Sequence, residues 1–305
     1  MNENGRSCIR RIFKSFAAFL ILATLQPAHA QLFDDTFIER VRATSQMIPG
    51  HLPLELRFQV FAHYSGPMSS WVQDGSSAVV PGVIGVFQIR FPDSWIMVDA
   101  GAEKEMIQWE VEFSEEDYEL VGQALRGANM IVATHEHADH IAGLVRGTWA
   151  ADAARRALLT SEQLEALVIG PDHPGIQISR SRAEQFLSVK YDRLLPISPG
   201  VVLIKAPGHS AGSQIIFVNL DDGTELLLVG DVVWVTTALE SGSQRPLALS
   251  ARLGEDRDAL ASQIQWLQQM RQDGLRVVVA HDAPALDALI DMGVIKSGVY
   301  LAESD

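Results

Sequence analysis

Cysteine is almost absent from this sequence: Cys8 is the only one among 305 residues. A single cysteine cannot close a disulfide within the chain, and the residues after position 30 offer no thiolate as a metal ligand or nucleophile. Low-complexity tracts and repeats of fixed period are also lacking, which excludes repeat architectures. The hydrophobic share of 47% is ample for the buried core of an ordinary globular protein.

Basic residues are scarce as well. The chain has 24 lysines and arginines against 38 aspartates and glutamates, a formal charge of −14. Four of the basic residues and one of the acidic ones lie before position 31, so the remainder has 20 basic and 37 acidic residues, a charge of −17. An acidic surface repels phosphate backbones and anionic lipids. We therefore expect a small-molecule substrate and neither a nucleic-acid nor a membrane partner.

The first thirty residues have the three parts of a secretory signal peptide. Basic residues at positions 6, 10, 11 and 14 precede an uncharged apolar run at 16–25, and Ala28-His29-Ala30 is a small-x-small cleavage signal. The run is shorter than the about 20 residues of a transmembrane helix, so no stable membrane anchor is expected after cleavage. We predict removal of residues 1–30 and one mature domain over residues 31–305, in the periplasm or secreted. The alternative is an uncleaved anchor or a buried helix, and Arg10-Arg11 also hints at twin-arginine export.

Strands and helices occur in both halves of the remaining chain. Residues 31–75 are expected to be irregular apart from an amphipathic segment at 37–48. Beyond them, apolar runs predict strands at 78–89, 95–98, 130–133, 201–206, 214–219, 225–229 and 275–280, and helical spacing occurs at 115–125 and 256–271. This pattern predicts an α/β (α+β) fold in which helices cover the outer faces of the sheets.

The densest group of metal-binding side chains is the segment Thr134-His135-Glu136-His137-Ala138-Asp139-His140, directly after an apolar strand. Three imidazoles and a carboxylate within six residues are a ligand set that suits zinc and similar metals. One ion cannot easily take all four ligands from so short a loop, whereas two ions can share them. A solvated polar loop is the alternative, but the position at the end of a strand favours a metal site.

Three more candidate ligands, His209, Asp231 and His281, each follow a predicted strand. Each of them alone would more often be a capping, core or turn residue. Their shared position beyond strand ends, where functional side chains usually lie, makes them candidates for the same site. His51 and His63 lie in the N-terminal region, and we expect them to have a surface or satisfied polar role instead.

The order of these motifs resembles the metallo-β-lactamase superfamily: HxHxDH after a strand, then Gly-His, Gly-Asp and a strand ending in Ala-His-Asp, with Val98-Asp99-Ala100-Gly101 upstream. The resemblance covers about residues 77–290 and implies a four-layer αβ/βα sandwich with two zinc ions, iron or manganese being alternatives. The implied ligands are His135, His137 and His209 for one ion, Asp139, His140 and His281 for the other, Asp231 as a bridge between them, and Asp99 as a residue that orients the loop.

Such a centre implies hydrolysis of an ester-like bond by a metal-bound hydroxide, with Asp139 and Asp231 as the catalytic carboxylates. The motifs resemble those of lactonases and thioesterases, so a lactone or a thioester is the expected substrate. Trp234 departs from acyl-homoserine lactonases, which have a substrate-contacting tyrosine at that place.

Three alternatives stay open. One is a β-lactamase with only His and Asp ligands, although such enzymes generally lack an aspartate at position 231. Another is an iron-dependent oxidoreductase, of which the diiron oxidases usually have glutamate in place of His137; the neighbouring Glu136 is expected to point away. The third is a non-catalytic metal-binding scaffold, which would not need seven ligands.

Four aromatic residues are candidates for the wall of a substrate pocket: Trp71, Phe87, Trp149 and Trp234. Burial in the core is the commoner role for such side chains. Asp172-His173-Pro174 is expected to be a turn, and it is only a minor candidate for substrate contact.

Overall fold

The computed structural model describes residues 33–34 and 36–302. The predicted leader and its cleavage site lie outside the described residues. Within that part of the chain, no helix combines the length and apolarity needed to cross a membrane.

The helices are α1 Phe37–Ser45, α2 Glu115–Gly127, α3 Ala138–Val145, α4 Ala150–Ala154, α5 Ser161–Ile169, α6 Arg180–Ala183, α7 Thr236–Ser241, α8 Leu247–Leu253, α9 Arg257–Gln272 and α10 Ala283–Asp291. The strands are β1 Glu55–Pro67, β2 Val79–Arg90, β3 Trp95–Val98, β4 Glu112–Phe113, β5 Met130–Val132, β6 Ala157–Thr160, β7 Leu187–Val189, β8 Leu194–Ser198, β9 Val201–Lys205, β10 Gln214–Asn219, β11 Glu225–Leu228, β12 Arg276–Val278 and β13 Lys296–Ser297.

The strands form two sheets. The first has the order β13-β1-β2-β3-β5-β6-β7, with β4 paired to β1, and the second has the order β12-β11-β10-β9-β8. Strands β3 and β5 run parallel in the first sheet, and β11 and β12 run parallel in the second. The carboxyl ends of each parallel pair therefore lie at one edge of their sheet.

Alternate residues of the strands enter different hydrophobic cores, because both faces of each sheet are covered. In β10, Ile215 and Phe217 pack into one core, while Ile216 and Val218 pack into another that also contains Phe87 of the first sheet. That second core therefore lies between the sheets. Helices α2 to α5 cover the outer face of the first sheet, and α1, α7 and α9 cover that of the second. The layers form the predicted αβ/βα sandwich.

The expectation of an irregular region over residues 31–75 was wrong for β1. This strand has 13 residues and pairs with β2 along its length. Its register shifts between Val60 and Ala62, so these residues pack on opposite faces although they are two apart: Val60 packs against the core between the sheets and Ala62 lies in the outer core. The bulge breaks the period of two by which a sequence reveals a strand. Helix α1 does lie within the predicted amphipathic segment.

Candidate metal centre

The histidine-rich loop is fixed where it enters α3. The backbone N–H of Ala138, the first residue of α3, lies 3.2 Å from each carboxylate oxygen of Asp172. Asp172 thus satisfies a free donor at the helix start from a distant loop. This contact positions the first turn of α3, which contains Asp139 and His140. Asp172, expected to be part of a turn, therefore supports the helix that presents two candidate ligands.

Strands of the second sheet bring the other candidates to the same edge. His209 follows β9, Asp231 follows β11 and His281 follows β12. Gly230 has a φ of 50°, and a Cβ atom there would lie 2.8 Å from Cβ of Thr134. A side chain at position 230 would therefore force the end of β11 away from the histidine-rich loop, which explains the Gly-Asp motif physically.

All seven predicted ligands meet at this edge and form one cluster. They fall into three overlapping groups, and within each group the ligand atoms lie within 4.8 Å of one another. The groups are His135, His137 and His209; His135, His140 and Asp231; and Asp139, His140 and His281. The first and third groups are the two sets that the resemblance implies, and the second one connects them.

Asp231 lies between the two sets, and each of its carboxylate oxygens faces one of them. Oδ2 is 3.4 Å from Nε2 of His209 and 3.8 Å from Nε2 of His135. Oδ1 is 3.2 Å from Nε2 of His281 and 3.3 Å from Nε2 of His140. This is the placement that a carboxylate shared by two ions requires.

Acceptors behind two of the histidines fix which ring nitrogen faces the cluster. Nδ1 of His140 lies 2.9 Å from Oδ2 of Asp99, and Nδ1 of His281 lies 2.9 Å from the carbonyl oxygen of Val83. Because these oxygens only accept hydrogen bonds, both Nδ1 atoms carry a proton, and each ring in its neutral form presents an Nε2 lone pair to the cluster. The two Nε2 atoms are 3.2 Å apart, a spacing that suits a shared cation.

Asp99 also holds the histidine-rich loop directly. Its Oδ1 accepts the backbone N–H of Thr134 at 2.7 Å, and its Oδ2 accepts the Thr134 hydroxyl at 3.0 Å. The residue has a φ of 68°, a conformation that aspartate and asparagine adopt more readily than most side chains. These contacts agree with the predicted role of Asp99 in orienting the loop.

Two residues with buried side chains, Glu255 and Arg245, lie behind His209 and were missed from the sequence. Oε1 of Glu255 lies 2.7 Å from Nδ1 of His209 and accepts Nε–H of Arg245 at 2.6 Å. Glu255 stands in Gly254-Glu255-Asp256, immediately before α9, where acidic residues commonly cap a helix. Its charge was the only signal in the sequence, and no motif distinguished it from a capping residue.

Trp234 contacts the candidate bridging residue. Its indole N–H donates to Oδ2 of Asp231 at 2.5 Å, and the guanidinium carbon of Arg245 lies 4.9 Å from the centroid of its ring. The polar atom of Trp234 is therefore engaged by the site itself.

The remaining residues that the sequence singled out lie outside the ligand cluster. They are Trp71, Phe87 and Trp149, which are buried in the cores, and His51 and His63, which are exposed. Glu136 points away from the cluster, as predicted. Its carboxylate accepts the Ser210 hydroxyl at 2.8 Å and the Gly212 N–H at 3.1 Å, which ties the histidine-rich loop to the loop that contains His209.

Charge is unevenly distributed within the cluster. Burial lowers the pKa of His135 well below its ordinary value, and the neighbouring His140 lowers it further. Burial also opposes protonation of His140, but the carboxylates of Asp139, Asp231 and Asp99 outweigh it and raise the pKa of His140 well above its usual range. The side of the cluster around His140 therefore favours positive charge, as a cation site should.

Comparisons with known proteins agree with this architecture. The family model of the metallo-beta-lactamase superfamily matches residues 80–281. A quorum-quenching N-acyl homoserine lactone hydrolase has a similar structure, with 19% identity and a TM-score of 0.61 over 79% of this chain and 97% of that one. A probable metal-dependent hydrolase from Staphylococcus aureus has 14% identity and a TM-score of 0.58, covering 77% of this chain and 91% of that one. The dizinc quorum-quenching lactonase AidC has 15% identity and a TM-score of 0.55, covering 75% of this chain and 88% of that one. Comparison with curated proteins gave no significant match.

The chain belongs to the metallo-beta-lactamase superfamily, because the family model covers strands of both sheets and every motif from β2 to His281. It is a metal-dependent hydrolase. At identities below 20%, the similar structures establish the fold.

Proposed function

We propose that this chain is an exported dinuclear zinc hydrolase that opens a lactone or cleaves a related ester-like bond, such as a thioester. The observation that carries the proposal is the position of Asp231, whose two oxygens face two separate pairs of histidines at 3.2–3.8 Å. A carboxylate so placed suits two ions, and paired metal ions are typical of hydrolytic sites.

The donor atoms fit zinc, which prefers imidazole nitrogen and carboxylate oxygen when thiolates are absent. Nε2 of His135 and Oδ1 of Asp231 are buried and take part in no hydrogen bond. Such atoms are rare in folded proteins unless an ion or a water binds them. The residues that would hold the ions are His135, His137 and His209 on one side, Asp139, His140 and His281 on the other, and Asp231 between them.

When bound, the zinc ions supply Lewis acidity and lower the pKa of a bound water to about 7. Asp139 is the residue we propose to move the proton. Its Oδ2 lies 3.6 Å from Nε2 of His140, and its side chain is 16% exposed, whereas that of Asp231 is only 5% exposed. The carboxylate of Asp139 therefore reaches both the cluster and the solvent. It would take the proton that the attacking water gives up and pass it to the departing oxygen. Asp231, being deeper, keeps the two sides of the site at a fixed spacing.

Similar structures support the choice of substrate. One is a quorum-quenching N-acyl homoserine lactone hydrolase, and the dizinc AidC is known in complex with a product, N-hexanoyl-L-homoserine. We place lactones first and acyl thioesters second. Because the N–H of Trp234 is bound to Asp231, this side chain supplies no free donor to a substrate.

A hydrolysis screen of the zinc-loaded protein tests the proposal. Lactones, thioesters, phosphodiesters and β-lactams would be compared at equal concentration, and turnover should be highest for a lactone or a thioester. Turnover of β-lactams alone would identify a β-lactamase instead. Bound iron with a visible absorption band, together with no hydrolysis, would indicate an oxidoreductase.

Export is a second part of the proposal, and it is supported by the leader pattern at residues 1–30. Mass spectrometry of the protein from its native host should find Gln31 at the N-terminus, in the periplasm or the medium. Exported protein that still begins at Met1 would contradict cleavage after Ala30.

A further inference from the structure

We propose that Glu255, Arg245 and Trp234 form a positioning network that sets the metal affinity of one side of the cluster, the side that contains His209. This inference rests on the proposed metal site, but it does not depend on the substrate. It also implies that the affinities of the two metal positions can be changed separately.

The first contact of the network is between Glu255 and His209. The carboxylate of Glu255 is fully buried, and its Oε1 lies 2.7 Å from Nδ1 of His209. Because a carboxylate only accepts, this contact keeps the proton on Nδ1 and directs the Nε2 lone pair into the cluster. A carboxylate behind a ligand histidine also raises the basicity of the ring and fixes its orientation.

Arg245 is the ion-pair partner of Glu255 in the interior. Its side chain is 3% exposed, and its Nε–H donates to Oε1 of Glu255 at 2.6 Å. A carboxylate buried without a cationic partner is costly, and Arg245 supplies that partner. The pair therefore places a compensated carboxylate directly behind His209.

Trp234 connects this pair to the bridging carboxylate. The guanidinium carbon of Arg245 lies 4.9 Å from the Trp234 ring centroid, within reach of a cation–π interaction. The indole N–H donates to Oδ2 of Asp231, the oxygen that lies 3.4 Å from Nε2 of His209. Two ligand atoms on the same side of the cluster are thus held by one connected set of side chains.

The other side of the cluster is supported independently. Nδ1 of His140 contacts Asp99, and Nδ1 of His281 contacts the carbonyl of Val83. Among the polar contacts of the described residues, neither Asp99 nor Val83 contacts Glu255 or Arg245. A change in Glu255 should therefore weaken one metal position and spare the other.

The test is competition between the purified full-length protein, loaded with two zinc ions, and a chromogenic chelator. Glu255→Gln keeps the size of the side chain and removes its charge. We expect one of the two ions to be released at a chelator concentration about 10–100-fold lower than for the wild type, with the second ion unchanged. Glu225→Gln is the matched control, because Glu225 also pairs with an arginine, Arg42, at 2.6 Å, and stands at the far end of β11 from Asp231.

Release curves for Glu255→Gln that superimpose on those of the wild type would overturn the inference, as would equal weakening of both ions.

Trp234→Phe is the second variant, in case Glu255→Gln does not fold. It keeps the aromatic face but removes the N–H donor, and we expect about tenfold weaker binding of the same ion. Full retention of that ion in Trp234→Phe would also overturn the network. A wild-type protein that binds two ions but hydrolyses no lactone or thioester contradicts the proposed substrate and leaves this inference intact.

Discussion

Asp99 has a left-handed backbone conformation, with a φ of 68°, at the position where its Oδ2 lies 2.9 Å from Nδ1 of His140. The turn directly after β3 places the carboxylate beneath the histidine-rich loop, where it also accepts the backbone N–H of Thr134. One side chain therefore fixes both the path of the loop and the orientation of a candidate ligand.

Asp99→Asn is expected to weaken metal binding while the fold survives. Asparagine tolerates the left-handed conformation as well as aspartate does, so the turn should be retained. Its amide has a single acceptor oxygen and no charge, so the contacts to His140 and Thr134 cannot all be kept. We expect the ion on the His140 side to bind about 10–100-fold more weakly in a chelator titration. Asp74→Asn is the control, because Asp74 also has a positive φ, of 60°, but is exposed. Equal metal affinity in both variants would mean that Asp99 is only a turn residue.

Gly143 allows α3 to lie against the turn that contains Ala100. A Cβ atom at position 143 would lie 2.3 Å from the carbonyl oxygen of Ala100, a backbone atom that cannot rotate away. Gly143→Ala should therefore displace α3, at a cost of about 1–3 kcal/mol in the free energy of unfolding. Calorimetry should show a lower midpoint and elemental analysis less bound metal, since α3 presents Asp139 and His140.

The control for this substitution is Gly170→Ala, where a new Cβ would meet no atom within 4 Å. We expect Gly170→Ala to unfold close to the wild-type midpoint. If Gly143→Ala were equally stable and retained its metal, the close contact between α3 and the Ala100 turn would not be needed for the site.

Removal of metal should lower the thermal stability of the protein. An ion that binds only the native state stabilises it by about 4 kcal/mol when its free concentration is a thousand times the dissociation constant. For a domain of this size, that corresponds to a fall of roughly 10 °C in the midpoint after treatment with a chelator. Adding zinc back should restore the midpoint, whereas magnesium, which prefers oxygen ligands in octahedral geometry, should not. Identical midpoints with and without chelator would argue against metal binding at the cluster.

The grouping of the seven candidate ligands could be predicted from the sequence because its signals are local. Four candidate ligands fall within positions 135–140, and the other three each follow an apolar run that reads as a strand. The layered fold was predictable for a related reason: strands buried on both faces have continuous apolar sequences.

The supporting residues could not be predicted, because their contacts depend on the tertiary structure. Glu255 is 46 positions from His209, and Asp172 is 34 positions from Ala138. Each has the sequence environment of an ordinary turn or cap, and only the folded chain shows what its carboxylate accepts. Strand β1 was not predicted for a different reason. Its bulge after Val60 interrupts the alternation of buried and exposed residues by which a strand is recognised in a sequence.

Replacement of Asp231 tests the centre of the proposed mechanism. Asp231→Asn keeps the size of the side chain but removes its charge, and a neutral amide is a poor bridge between two cations. The two bound cations would then repel each other, with no negative charge at position 231 to offset the repulsion. We expect turnover to fall at least about a hundredfold, which corresponds to roughly 2.7 kcal/mol of transition-state stabilisation. Turnover and metal content would be measured for this variant and for the wild type.

The control is His51→Asn, since His51 is exposed and lies outside the ligand cluster. Its turnover should match that of the wild type. If Asp231 were only a turn residue, Asp231→Asn would also have near-normal turnover, because asparagine forms such turns about as well as aspartate.

The fold itself should tolerate the change, because the contacts of Asp231 are with the cluster histidines and with Trp234. Trp234 can still donate its N–H to the amide oxygen of asparagine. Loss of turnover in a folded Asp231→Asn protein would therefore reflect the missing charge between the two metal positions, whereas full turnover with two ions retained would refute the bridging role.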